Sequence, residues 1–295
     1  AELSSALSAG KANISLAYKG SPYEIGTVTV VKNMHLTGEV SGGKYPTVKG
    51  AFNLSGDSGT VVFENLEFTG DKNDSGTTNA LAVLLNVSGD LTANAVMVKN
   101  CNIKAYNKSV FYGNNDSTDV SALLLSGVKI TDIGTGQGAI DIRKGTFRAI
   151  ILENSTVAEG CRDFIRLDAS TTGKTTGTVA IRNNTFCNVS AGASNSLLYV
   201  RRDVADYTLT ANLFLNESTA NTVFAKTGTK VPVMNKNYFY NCTAASWWTG
   251  TISESTATAG GGVLADSPVR SAANGDYTLT NYDLLTAGIG DPRWY

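Results

Sequence analysis

Four short stretches of this sequence repeat one arrangement: Asp141-Ile142-Arg143, Arg166-Leu167-Asp168, Tyr199-Val200-Arg201 and Phe224-Ala225-Lys226. Each sets a charged or aromatic residue two positions before a charged one, with an apolar residue between. In an extended strand this period of two puts both polar positions on one face. Stacked side by side, the strands form one outward column of Asp141, Arg166, Tyr199 and Phe224 and a second of Arg143, Asp168, Arg201 and Lys226. Phe111 extends the face in the preceding coil by the same alternation. Only 17% of the 295 residues are charged, so this is a local concentration.

Three chemistries fit such a face. The plainest is an ion-pair ladder, in which opposite charges alternate between neighbouring strands about 4.8 Å apart. A glycan surface is the second. Phe111, Tyr199 and Phe224 would stack on apolar sugar faces, while Asp141, Arg143, Arg166, Asp168 and Arg201 would meet hydroxyls and pair with a uronate carboxylate. The third is catalysis. Abstraction of a proton next to a uronate carboxylate needs a base, for which Lys144, Arg166 and Lys226 are the candidates, with calcium as the group that would neutralise the acid. Guanidinium is a demanding base. The acids Asp141, Asp163, Asp168 and Asp203 each have an Arg competing for them, so no compact metal cluster is expected. Hydrolysis needs a protonated carboxyl opposite an ionised one. Asp141 and Asp168 have suitable spacing, but pairing with Arg holds both ionised. The single His, His35, has no evident Ser or Cys partner and reads as structural, which weighs against His-dependent hydrolysis.

The elements that must position these residues follow from an internal repeat. Segments 61–70, 95–106, 122–134, 149–160, 179–190, 208–218 and 233–242 share a β-prone run, a polar anchor and an apolar residue three positions on. The anchors are Asn33, Asn65, Asn100, Gly127, Asn154, Asn183, Ala211 and Lys236. Asn and Gly tolerate the left-handed backbone of a tight bend. Stacked Asn side chains are expected to form a ladder between coils. Leu36, Phe68, Ile103, Ile130, Val157, Phe186, Phe214 and Phe239 follow and are expected to build one column inside the core. A second strand follows in each repeat, at 80–87, 109–113, 138–145, 163–170, 196–203 and 221–228, most with period-two alternation. Two strands in each unit of roughly 28 residues specify an all-β parallel β-helix, a solenoid of about nine coils. An antiparallel sandwich would need hairpin turns, and Asn274-Gly275 is the one clear example.

The single domain expected over 1–295 divides into an N-terminal cap and first coil (1–32), repeating coils (33–242), and a long loop with a C-terminal cap (243–295). Residues 1–10 read as a short capping helix. Trp247-Trp248 read as a plug for the open end, with a sugar platform as the alternative, and Trp294 reads as a plug too. Cys101, Cys161, Cys187 and Cys242 contain no C-x-x-C pair, which disfavours zinc and leaves buried free thiols. The polar runs 71–76 and 113–119 lack the calcium-loop pattern and read as turns. Asn53, Asn86, Asn154, Asn183 and Asn188 stand in N-x-S/T triplets and also read as turn residues. A net charge of −1 offers no footprint for nucleic acid. Nothing approaches the ~18 apolar residues of a membrane helix, and Ala1 reads as a processed or trimmed start without a signal peptide.

The run GSPYEIGTVTVVKNMHLTGEVSGGKYPTVKGAFNLSG, then VVFENLEFTG, and the ending GDYTLTNYDLLTAGIGDPRWY carry a resemblance over essentially the whole chain. They resemble the pectate-lyase-like β-helix lipoproteins of gut Bacteroidetes, whose closing residues read G-D-P-R-W, here Gly290, Asp291, Pro292, Arg293 and Trp294. The resemblance implies a right-handed β-helix, a glycan context near polysaccharide-use machinery, and an extracellular or outer-membrane location with a lipid anchor upstream. It delivers no catalytic residues. The reading expected from residues and resemblance together is a monomeric glycan-binding protein with no cofactor and no metal. The alternatives are a polysaccharide lyase acting on uronates, with calcium if so, and an adhesion solenoid without a ligand.

Overall fold

The computed structural model describes residues 2–71, 81–168, 176–190, 195–216, 231–242 and 253–295, and the backbone alone of 222–226. The fold is an all-β parallel β-helix. Each coil has three strands rather than two, because the short run after each anchor is a strand of its own. The first face stacks Asn13–Leu16, Met34–Gly38, 61–64, 96–99, Thr118–Ser126, Thr146–Glu153, Thr176–Arg182, Val204–Thr210 and Val233–Asn235. The second runs from 47–49 through Glu67–Thr69, Asn102–Lys104, Lys129–Ile133, Thr156–Gly160, Thr185–Val189, Leu213–Leu215 and Tyr238–Tyr240 to Gly262–Leu264. The third stacks Tyr23–Val30, 48–54, 83–87, Ser109–Gly113, Gly138–Ile142, Asp163–Leu167, Asn195–Val200 and Thr222–Lys226. About seven turns carry all three strands, against the nine expected. At each end, among the described residues, a further pass supplies only two of the faces.

The bend from the first face to the second is made where the anchors stand. Asn65, Asn100, Asn154, Asn183, Ala211 and Lys236 have φ between 50° and 57°, and Gly127 has φ 63°. Asn33 differs. It precedes a first-face strand, and its Oδ1 accepts the Thr60 N–H at 2.6 Å. Leu36, counted from it, therefore packs in the first face between Ile14 and Phe63. The other seven apolar residues form one column in direct register, all buried. Phe186, Phe214 and Phe239 lie nearly parallel, with centroids 5.1 and 5.0 Å apart.

The asparagine ladder exists one position later than the anchors. Asn184 N–H and Nδ2 both donate to Asn212 Oδ1 (3.1 and 3.0 Å), and Asn212 N–H and Nδ2 both donate to Asn237 Oδ1 (3.1 and 2.9 Å). Each Nδ2 also reaches a carbonyl of the preceding coil: Leu152, Ile181 and Leu209 respectively. The anchors must bend the chain. The residues after them point inward, where an amide satisfies groups that water cannot reach. Ser155 continues the ladder, and Val128, Cys101 and Leu66 hold the same level in earlier coils.

Glu2–Ser8 is helical and buries Leu3 and Leu7 over the first coil, as the cap requires. All four cysteines are free thiols. Burial pushes the Cys101 thiol up to about 12. His35 pairs with Glu64 at 3.1 Å. Among the described residues, Asn274-Gly275 sits in the one antiparallel strand pair, Val269–Ser271 with Asp276–Leu279. Trp247-Trp248 lie outside the described residues. Ala257 packs into the main core and Gly262–Leu264 stacks on Tyr238–Tyr240 at the end of the solenoid. The segment from Val269 onward, which carries Trp294, does not plug an end. It lies along the second face, where Val269, Tyr277, Leu279, Leu284 and Ile289 cover outward Ala158, Cys187, Leu213 and Leu215 in a second apolar core.

Candidate functional site

The third face aligns one column over eight strands: Thr29, Asn53, Asn86, Tyr112, Asp141, Arg166, Tyr199 and Lys226. Ile140, Ile142, Ile165, Leu167, Leu198 and Val200 point inward as the alternation predicts.

Phe111 is a correction. It pairs with Leu85 and Ile140, is fully buried, and packs edge-on against Phe147 at 5.8 Å. Val110 and Phe111 are both interior, so apolarity gives this five-residue strand no parity, and a one-residue slip exchanges the faces. Tyr112 takes the outward place. Phe224 is displaced as well. The register sets Val223 against Ser196 and Ala225 against Leu198, so Phe224 falls level with Leu197, and Lys226 stands beside Tyr199. The side chains of Phe224 and Lys226 lie outside the described residues.

The charges pair along strands as well as between them, where the ladder reading set Asp141 beside Arg166 and Asp168 beside Arg201. Asp141 is held by Arg143 through Nε and Nη2, both at 3.1 Å, and accepts the Gly138 N–H at 3.3 Å. Arg166 Nε stands 3.8 Å from the same carboxylate, leaving Asp141 with 0% exposure although it occupies an outward position. Arg166 Nη2 donates to Asp168 Oδ2 at 2.7 Å, and Arg201 Nη1 crosses a coil to Asp168 Oδ1 at 3.1 Å. The hydrogen bond to Asp141 raises the pKa of Arg143 further. Arg143 lies over the Tyr112 ring at 5.5 Å and Arg166 over Tyr199 at 5.1 Å. Beneath them, buried Arg202 donates to the carbonyls of Asp168 (2.9 Å) and Gly145 (2.6 Å), and burial lowers its pKa.

Among the described side chains this geometry presents fixed aromatic rings and guanidinium edges rather than a free base. Lys144 is engaged by Asp116 at 2.7 Å, and Arg166 is held between two carboxylates. Asp141 and Asp168 already receive guanidinium N–H groups where a cation would need their oxygens. Among the described residues no three acidic, His or Cys side chains converge as metal ligands.

Sequence reasoning missed the other half of the column. Asn53, Asn86, Lys108, Tyr112 and Gln137 line a groove of 290 Å³ beside the charged coils. Asn86 Nδ2 donates to Asn53 Oδ1 at 2.9 Å. Both had read as turn residues, yet Phe52-Asn53-Leu54 and Leu85-Asn86-Val87 carry the same apolar–polar–apolar signal as Ile140-Asp141-Ile142.

These features define a parallel β-helix with a polar and aromatic stripe along one face. Residues 21–159 are similar to a family described as a domain of unknown function, DUF4957, and residues 179–294 to another, DUF5123. No curated protein matches the chain. The two matched segments meet inside one hydrogen-bonded stack, for Thr146–Glu153 pairs with Thr176–Arg182 and Thr156–Gly160 with Thr185–Val189.

Proposed function

We propose that this protein binds a glycan along its third face, as a secreted or surface-held bacterial protein associated with polysaccharide use. The carrying observation is the stripe of amides, aromatic rings and guanidinium edges at successive coils, one step of ~4.8 Å per coil. That step is comparable to the advance of one sugar along an extended chain. Asn53 and Asn86 offer both donors and acceptors to hydroxyls. Tyr112 and Tyr199 offer ring surface, and Arg166 and Arg201 offer N–H groups to an acidic sugar. Binding is favoured over elimination because Lys144 and Arg166, two of the three candidate bases, are committed to carboxylates. The location and the polysaccharide context rest on the resemblance. No helix among the described residues is long and apolar enough to cross a membrane.

Affinity electrophoresis through pectins, glycosaminoglycans and neutral glucans tests the reading. Retardation is expected in at least one gel. Tyr199→Ala and Arg166→Ala should each weaken it about tenfold, equivalent to about 1.4 kcal/mol. Retardation unchanged in both variants would remove the site, and absence of retardation throughout would favour the scaffold reading. Appearance of the unsaturated uronate absorbance would convert binding into elimination.

A further inference from the structure

The closing Gly290-Asp291-Pro292-Arg293-Trp294 is pinned to the second face. Gly290 N–H donates to Ala211 O (2.9 Å) and Asp291 N–H to Thr185 Oγ1 (3.1 Å). Thr156 Oγ1 donates to Asp291 Oδ2 (2.6 Å) and receives Trp294 Nε1–H (2.7 Å). Arg293 Nε pairs with buried Asp291 at 3.1 Å. These bonds hold Arg293 at the rim of a groove of 520 Å³ whose walls include Asn100, Asn102 and Asn154. Beside it stands Lys129, between Asn102 and Thr156 in the stack. Its Nζ lies 5.6 Å from the Trp294 ring, and among the described residues it has no hydrogen bond or ion pair through its side chain. Burial, with the charges of Arg293 and Lys104, lowers its pKa against the opposing attraction of Asp291. Lys104, by contrast, is held by Glu67 at 3.1 Å.

We propose that this groove is a second ligand site, which takes the carboxylate of an acidic sugar against Lys129 and Arg293 while the asparagine amides meet its hydroxyls. Glu67 offsets Lys104 and Asp291 offsets Arg293, which leaves the single positive charge of Lys129 beside the groove. That balance suits a singly charged carboxylate better than dianionic phosphate. The volume falls within the range of small-ligand pockets. The site lies on a different face from the glycan stripe and does not rest on it.

NMR titration of the full chain with galacturonate, galactose and inorganic phosphate tests this. Galacturonate should bind at least tenfold more tightly than either of the others. Lys129→Met should reduce its affinity tenfold or more with no loss of melting temperature, whereas Arg148→Ala, on the exposed first face, should leave it unchanged. Asn102→Ala supplies a second variant if Lys129→Met folds poorly, and should weaken galacturonate about threefold. Equal binding of galactose, tighter binding of phosphate, or undiminished affinity in the site variants overturns the proposal.

Discussion

Phe214→Ala should lower the unfolding free energy by about 5 kcal/mol. Truncating a buried Phe typically costs about 3–5 kcal/mol, and an aromatic pair adds about 0.5–1.5 kcal/mol beyond its buried area. Phe214 is fully buried and stacked on both sides, at 5.1 Å from Phe186 and 5.0 Å from Phe239. Relaxation is restricted because the backbone of Leu213–Leu215 is hydrogen-bonded to a neighbouring strand on each side. Urea unfolding followed by circular dichroism measures the loss, and hydrogen exchange should localise it to the coils around 186–239. Phe214→Leu should recover more than half of it, since volume and not polarity is then the main change. A loss under about 2 kcal/mol for the alanine variant would mean that the column does not carry the core.

Asn212→Ala should cost about 3–5 kcal/mol by a different route. The deleted amide is buried and has four partners. Its Oδ1 accepts two N–H groups of Asn184, and its Nδ2 donates to Ile181 O and Asn237 Oδ1. Alanine leaves a backbone N–H and a carbonyl without partners in a dry interior, at about 1–3 kcal/mol each. Asn212→Asp tests the chemistry rather than the size. A carboxylate keeps the acceptor, loses the donor and brings a buried charge, so it should be at least as damaging as alanine at neutral pH. If Asn212→Asp matched the wild type in urea, the ladder would not be a source of stability.

The repeat was legible because its causes are local. A left-handed residue is written as Asn or Gly in most coils, and an interior column is written as an apolar residue at constant distance from it. Ala211 and Lys236 show where this fails. Neither advertises positive φ, and their places are readable only from the neighbouring coils. The ladder was misplaced by one residue because Asn183-Asn184 carries both functions side by side, and composition does not say which Asn bends the chain. The second-face strand of each coil went unseen as a separate element because strands such as Glu67–Thr69 and Asn102–Lys104 are too short to show alternation. At the candidate site the inward residues and the register of Asp141, Arg166 and Tyr199 were readable from period-two strands. Phe111 was not, since two adjacent apolar residues at a corner erase the parity. Nor was the burial of Asp141, which depends on where two guanidinium groups come to rest.

The C-terminal strap changes how the coils depend on one another. In a plain solenoid each coil answers only to its two neighbours, and the terminal one peels away alone. Here residues 288–294 bond to Ala211, Asn183, Thr185 and Thr156, and Arg293 Nη2 donates to Gly127 O, three coils back from Ala211. The chain's end thus acts as a buckle. Coils from 127 to 211 open together or not at all, and cooperativity in that half exceeds what stacking alone would confer.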